Sequence, residues 1–320
     1  MERLYARREK KYTPSGNHVN PERTTKARQW VTGLLIVTLV ASLTSQTTAK
    51  EHAHMDKQKD KTGILLVTFG TSNAQARKAF DNIDRMAEKR FQDTEIRWAY
   101  TSHMIRKMLA KEGKNINSPV TALAKMHDDG FTHVAVQSLH VIAGEEYNQL
   151  KDTVQAFRRG PFGFKQLTLG KPLLSSYEDV REVSKAMLAQ VPEQRSEDEA
   201  VIFMGHGTHH PAGLSYVAVS SVLNDMDNNA FLGSVEGHPT LDRVLNECKS
   251  AGVEQAWLMP FMSVAGDHAR NDMAGDSEDS WKSVLEKNGI ACESILKGMG
   301  EYDDVVKVWL DHLEEAFSEL

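Results

Sequence analysis

Val201-Ile202-Phe203-Met204-Gly205-His206-Gly207-Thr208-His209-His210-Pro211 is the stretch whose reading decides the fold. Val201 to Met204 is a short apolar run without alternation, as in a strand buried on both faces of a parallel sheet. Gly205 and Gly207 then let the backbone turn and leave His206 projecting where the strand ends. In open α/β sheets ligands sit at that carboxyl edge. A histidine there binds a metal ion, moves a proton near neutral pH, or simply closes the edge of the core. Taken alone, His206 fits the last role best. The rest of the chain shifts the balance.

The same pattern recurs on both sides. Upstream, Gly63 to Phe69 is a strand closed by Gly70-Thr71-Ser72. A helix follows from Ala74 to Arg90, with Ser72 or Asn73 as its N-cap. Ile96–Tyr100, His133–Leu139 and Thr168–Leu174 read as further strands, the last interrupted by Pro172. Downstream, Gln255–Phe261 and Ala291–Leu296 are strands, and Glu236 lies in a loop after a short one. Helical spacing fills the intervals, up to a closing amphipathic helix from Tyr302 to Leu320. Alternating strands and helices require parallel sheets with right-handed crossovers.

Two echoes point to duplication. Phe69-Gly70-Thr71-Ser72 corresponds in position to Met204-Gly205-His206-Gly207, and Val141-Ile142-Ala143-Gly144-Glu145-Glu146 to Ser263-Val264-Ala265-Gly266-Asp267-His268. The expected fold is α/β: two similar parallel-sheet, three-layer domains, residues 62–192 and 193–320. They face each other across a cleft, with the last helix free to pack on the N-terminal domain.

At 320 residues the chain has room for about two domains. Hydrophobic content of 40% and charged content of 26% argue against disorder and against a multi-span membrane protein. Two cysteines, Cys248 and Cys292, are too few for a disulfide framework or a thiolate metal cluster. The first 30 residues are basic, and Trp30 to Leu43 carries no charge. That run is shorter than the about 20 residues a spanning helix needs. With Thr47-Thr48-Ala49 after it, the segment 1–49 reads as a secretory signal cleaved after Ala49, which implies a periplasmic or otherwise exported protein. An uncleaved anchor and a later translation start are the alternatives. Residues 50–61 form a polar leader. Removing residues 1–49 leaves 30 Lys and Arg against 41 Asp and Glu, which argues against nucleic acid as a partner.

In the duplicated arrangement His206, His268, Glu146 and Glu236 converge. Two imidazoles with one or two carboxylates can hold a divalent first-row metal and leave positions open. No HExxH or CxxC signature supports this from spacing. The plainer alternatives are a solvated Glu236, Asp267 and Asp272 as helix N-caps, a satisfied buried His140, exposed His209, His210 and His238, and surface positions for His127, His133 and His312. No phosphate loop or dinucleotide fingerprint is present, so a nucleotide is not expected. No G-x-S-x-G elbow marks a serine nucleophile. Thr71-Ser72 opens a helix whose free N–H groups suit a ligand carboxylate.

Five segments together resemble a known family. They are Leu65 to Ser72, Ala135 to Tyr147, Thr168 to Ser176, Val201 to Gly207, and Leu258 to Asp276 with its Val264-Ala265-Gly266-Asp267-His268-Ala269-Arg270-Asn271-Asp272 core. The chain is similar over residues 62–320 to the anaerobic-pathway sirohydrochlorin cobaltochelatases, class II ATP-independent chelatases related to ferrochelatase. The resemblance implies two α/β domains with the tetrapyrrole between them. It also implies insertion of Co²⁺, and sometimes Fe²⁺, into sirohydrochlorin. It maps metal-site and catalytic roles onto His206, His268 and Glu146, with Glu236 as a further metal ligand. A homo-oligomer is expected. Two features depart from the family: the secretory leader, and His103 where a small residue is expected. His103 is either an exposed helix-start histidine or a ligand to haem or metal at a subunit contact. The second class of function is therefore an exported haem, tetrapyrrole or metal carrier on a chelatase scaffold.

Overall fold

The apolar runs become parallel strands in a computed structural model that describes residues 59–159 and 163–320. The expected signal segment, 1–49, and nearly all of the expected leader lie outside the described residues. The first set comprises β1 (Thr62–Thr68), α1 (Lys78–Arg90), β2 (Glu95–Tyr100), α2 (His103–Lys111), α3 (Pro119–Asp128), β3 (His133–Ser138), α4 (Glu145–Arg159), β4 (Gln166–Gly170) and α5 (Tyr177–Leu188). The second comprises β5 (Ala200–Gly207), α6 (Leu214–Met226), β6 (Ala230–Glu236), α7 (Leu241–Ala251), β7 (Gln255–Phe261), α8 (Trp281–Lys287), β8 (Ala291–Ser294) and α9 (Asp303–Ser318). The sheets run β2-β1-β3-β4 and β6-β5-β7-β8, and every pairing is parallel. One strand order thus occurs twice, as the internal echoes suggest.

Unbroken apolar runs fit because both faces of each sheet are covered. Leu65 and Val67 point into one core cluster, and Ile64 and Leu66 into another. In the second sheet Ile202 and Met204 face one way, Val201 and Phe203 the other. Ile64, Leu66, Val201 and Phe203 belong to the same cluster, which also takes in residues of α5, α6 and α9. The two sheets therefore share a core, and the described residues form one compact unit. Helix α9 packs on β3 and β4 of the first sheet, where the Trp309 indole donates to the His140 carbonyl at 3.3 Å.

Several boundaries differ from the sequence reading for local reasons. Helix α1 starts at Lys78 rather than Ala74, because the preceding turn bonds three residues apart, Lys78 N to Gln75 O and Ala79 N to Ala76 O, with Asn73 capping that turn. Thr71 Oγ1 accepts from Asn73 N at 3.1 Å, and Asn73 Oδ1 accepts from Gln75 N and Ala76 N. Strand β4 stops at Gly170, just before Lys171-Pro172. Strand β5 runs on through His206 to Gly207, which pairs with Glu236. Gly207 has φ +75, and a Cβ there would lie 1.8 Å from the Glu236 carbonyl oxygen, so only glycine fits. His312 is not a surface residue: it is 8% exposed, and its Nε2 lies 3.2 Å from Asp179 Oδ1, tying α9 to α5. Among the described residues no helix is long and apolar enough to cross a membrane.

Candidate metal centre

His206 and His268 come together. Their ring centres are 4.7 Å apart and their planes stand at 90°. His206 is held by the strand itself: β5 delivers it one residue before the turn at Gly207. His268 opens a single π-helical turn, His268–Met273, after β7. Such turns are rare and recur at functional sites. Ala269 and Met273 are fully buried and fix this one against the core, leaving His268 and Asp272 toward solvent with side chains 44% and 45% exposed.

The hydrogen bonds define which ring nitrogen is free. His206 Nδ1 lies 3.0 Å from the Gly207 carbonyl oxygen. A carbonyl only accepts, so Nδ1 carries a hydrogen and Nε2 is the nitrogen left to bind a metal ion. His268 Nδ1 lies 2.5 Å from Asp272 Oδ2, and the same reasoning leaves its Nε2 as the nitrogen without a protein partner. Both rings thus offer the atom that a metal ion takes.

The first half reaches the same place. Glu146 lies in the first turn of α4, and its charge acts on Tyr216. Burial, above all, pushes the Tyr216 hydroxyl up to about 12; a bond from the Gly207 backbone opposes this, and Glu146 adds to it. Glu146 and the Gly207 backbone thus both act on Tyr216. Asn148 Nδ2, two residues on, lies 3.3 Å from His210 Nε2. Thr71 is 5% exposed, and a Cβ on Gly266 would sit 3.8 Å from its Oγ1, so the β1 loop abuts the loop that leads to His268.

Glu236 ends β6 in an exposed position, in register with Gly207. Among the described residues no three His, Cys, Asp or Glu side chains are grouped closely enough to hold a metal. What the fold assembles in advance is the pair of imidazoles. A cavity of about 420 Å³ lined by Ser72, Asn73, Met108, Lys111, Glu112 and Asp267 opens beside it, between the two halves. A larger hollow of about 930 Å³ lies between α6 and α7 near Ala230, the end of β6 remote from Glu236, and holds no histidine. Thr71-Ser72 does not present a row of free helix N–H groups, since the donors of Asn73, Gln75 and Ala76 are used internally. His103 is the exposed first residue of α2, after the N-cap Ser102. His140 is a satisfied buried histidine: Ser138 Oγ lies 2.8 Å from Nδ1, and burial pulls the ring down to about 4.

Sequence reasoning missed the partnership of Asp272 with His268, which it weighed only as a helix cap. The spacing His-x-x-x-Asp on a helical turn was the available signal. Tyr216 and Asn148 carried no signal, because their neighbours come from other parts of the chain.

A family model described as cobalt chelatase (CbiK) matches residues 62–318. The chain belongs to the cobalt chelatase family. It is 45% identical over 271 residues to the sirohydrochlorin cobaltochelatase CbiKC of Nitratidesulfovibrio vulgaris strain Hildenborough, covering 85% of this chain and 94% of that protein. It is 38% identical over 260 residues to the sirohydrochlorin cobaltochelatase of Salmonella typhimurium, covering 81% and 97%. Among solved structures, SirB from Bacillus subtilis with Fe³⁺ has a TM-score of 0.56 at 16% identity, covering 81% of this chain and 96% of that one. A sirohydrochlorin chelatase SirB from Bacillus subtilis subspecies spizizenii, in complex with cobalt, has a TM-score of 0.53 at 14% identity with the same coverage. At such identities these two matches speak to the shared chelatase fold alone. Membership of the cobalt chelatases makes the chain a metal-inserting enzyme.

Proposed function

We propose that this chelatase inserts Co²⁺, with Fe²⁺ as a second substrate metal, into sirohydrochlorin without nucleotide hydrolysis. The observation that carries the reading is the pair His206–His268, each held through Nδ1 with its Nε2 left for a metal ion. Insertion exchanges one divalent ion for two pyrrole protons, so charge balances with no second substrate. The two Nε2 atoms replace water on the arriving metal, and Glu236, beside Gly207 at the end of the neighbouring strand, completes the ligand set as the ion arrives. As the metal passes to the macrocycle, the freed imidazole nitrogens accept the pyrrole protons. Glu146, across the cleft, relays them to solvent.

The relatives named as sirohydrochlorin cobaltochelatases support the substrate assignment. The test is an anaerobic insertion assay with sirohydrochlorin and Co²⁺, Fe²⁺ or Ni²⁺. Formation of the cobalt product without added nucleotide is expected; no product with any of the three metals counts against the reading.

Export, a homo-oligomer and a carrier role form a separate proposal. It rests on the segment 1–49 and on exposed His103 and Met104, the latter 69% exposed, at the start of α2. Imidazole and thioether are both haem-ligand types. A purified, haem-reconstituted protein whose Soret band shifts in His103→Ala supports it, and an unchanged spectrum rejects that ligand.

A further inference from the structure

His206 and His268 are oriented by different means. The Nδ1–H of His206 points to a backbone carbonyl, that of Gly207, which no substitution removes. The Nδ1–H of His268 points to a side chain, the carboxylate of Asp272. We propose that Asp272 is the positioning residue of the centre: it locks His268 in the Nδ1–H tautomer, so that Nε2 meets the metal as a lone-pair donor. The proposal rests on the reading of His268 as a metal-binding imidazole.

The local backbone is built to hold this pair. Residues four apart lie on nearly the same face of a π turn, and Ala274 N donates to Ala269 O at 3.3 Å to close it. Gly275 ends the turn where a Cβ would lie 2.3 Å from the Asn271 carbonyl oxygen. Asp272 is not a helix cap: it sits inside the turn, while the cap position belongs to Asp267, whose side chain makes no capping bond. Nor does it contribute much as an ion pair. Both partners are almost half exposed, and solvent screening leaves such pairs worth little. A carboxylate on the far nitrogen of a ligating histidine orients the ring and raises its donor strength. Position and exposure leave that role for Asp272.

The test uses the full protein and three variants, Asp272→Asn, Asp272→Glu and His268→Ala. Two-bond proton–nitrogen spectra of the histidine rings report the tautomer without any assay of activity. Titration with Co²⁺ alone, followed by visible absorption, reports metal affinity. Titration with sirohydrochlorin alone reports macrocycle binding. The expected result is a His268 ring in the Nδ1–H form in the unmodified protein and its loss in Asp272→Asn, whose amide can turn an N–H toward the ring. Co²⁺ affinity falls about 10- to 100-fold in that variant, sirohydrochlorin affinity is unchanged, and Asp272→Glu recovers most of the metal affinity. A purely structural role would instead lower the melting temperature and weaken both ligands together. An unchanged tautomer, or a changed tautomer with unchanged Co²⁺ affinity, overturns the proposal. If the unmodified protein binds Co²⁺ through His268 yet inserts no metal, the cobaltochelatase reading fails while the role of Asp272 stands.

Discussion

The rings of His206 and His268 meet edge to face with centres 4.7 Å apart, one carried by β5 and the other by the π turn after β7. Two imidazoles so close, each with its far nitrogen already committed to an acceptor, act as a unit. Replacing either with alanine removes half of the donor set. His206→Ala and His268→Ala are each expected to lower the cobalt insertion rate by at least about 100-fold. The double variant should fall little further, because groups that act together are not additive. Steady-state rates of the three variants decide this. Independent, multiplicative losses would mean that the rings serve separate steps.

Gly207 couples the ends of β5 and β6. Its left-handed backbone and the 1.8 Å approach of the Glu236 carbonyl to its Cβ position leave no room for alanine. Gly207→Ala should cost on the order of 1–3 kcal/mol of stability through backbone strain, with further loss from the displaced strand end. Because His206 and Glu236 flank the position, Co²⁺ affinity should fall in the same variant. Denaturant unfolding and metal titration measure the two effects. A variant with native stability and affinity would show that the strand ends are not coupled.

The ring of His140 makes acid stability predictable in sign. Burial lowers it from 6.5 to about 4, so it is neutral in the fold at pH 7. The unfolded chain binds this proton first as pH falls. The stability contributed by the neutral ring is complete above pH 6.5 and is lost on descending toward the folded value. Between pH 7 and 4.5 the loss should be roughly 2–3 kcal/mol. His140→Asn, which cannot take up that proton, should lose less over the same interval in urea unfolding. Parallel pH curves for the two proteins would contradict the assignment.

Arg195 clasps the segment before β5. Its guanidinium reaches both carboxylate oxygens of Asp227, at 2.5 and 3.2 Å, and its Nε donates to the Glu199 carbonyl at 2.9 Å. The Arg195 side chain is only 11% exposed, so solvent screens the pair weakly. The bond to Arg195 holds the Asp227 carboxyl below its ordinary value, and the pair therefore stabilises the fold at neutral pH and weakens only in acid. Arg195→Ala should cost about 1.5–3 kcal/mol and leave the cobalt insertion rate at 25 °C unchanged. Thermal unfolding and the insertion assay together check it.

Most of the fold is legible because its strands are largely apolar runs, as at Gly63–Phe69, which Gly70 closes, and at Gln255–Phe261. Strand β7 coincides with its sequence reading to the residue. The duplication is legible because the strand-end motifs repeat. The details that escape depend on partners distant in the chain. His312 sits on an amphipathic helix beside charged residues and looks exposed, yet Asp179 of α5 covers it. The π turn is invisible to a reading based on a period of 3.6 residues, so Asp272 passes for a cap. Helix α1 is placed too early because hydrophobic spacing does not distinguish the capped three-residue turn before Lys78 from an α-helical one.

The most direct measurement is an anomalous-scattering map at the cobalt edge from crystals of the protein loaded anaerobically with Co²⁺. The imidazole pair predicts a single strong peak about 2.1 Å from both Nε2 of His206 and Nε2 of His268, with the Glu236 carboxylate turned toward it. Cobalt bound elsewhere, with no density between the two rings at saturating metal, would contradict it.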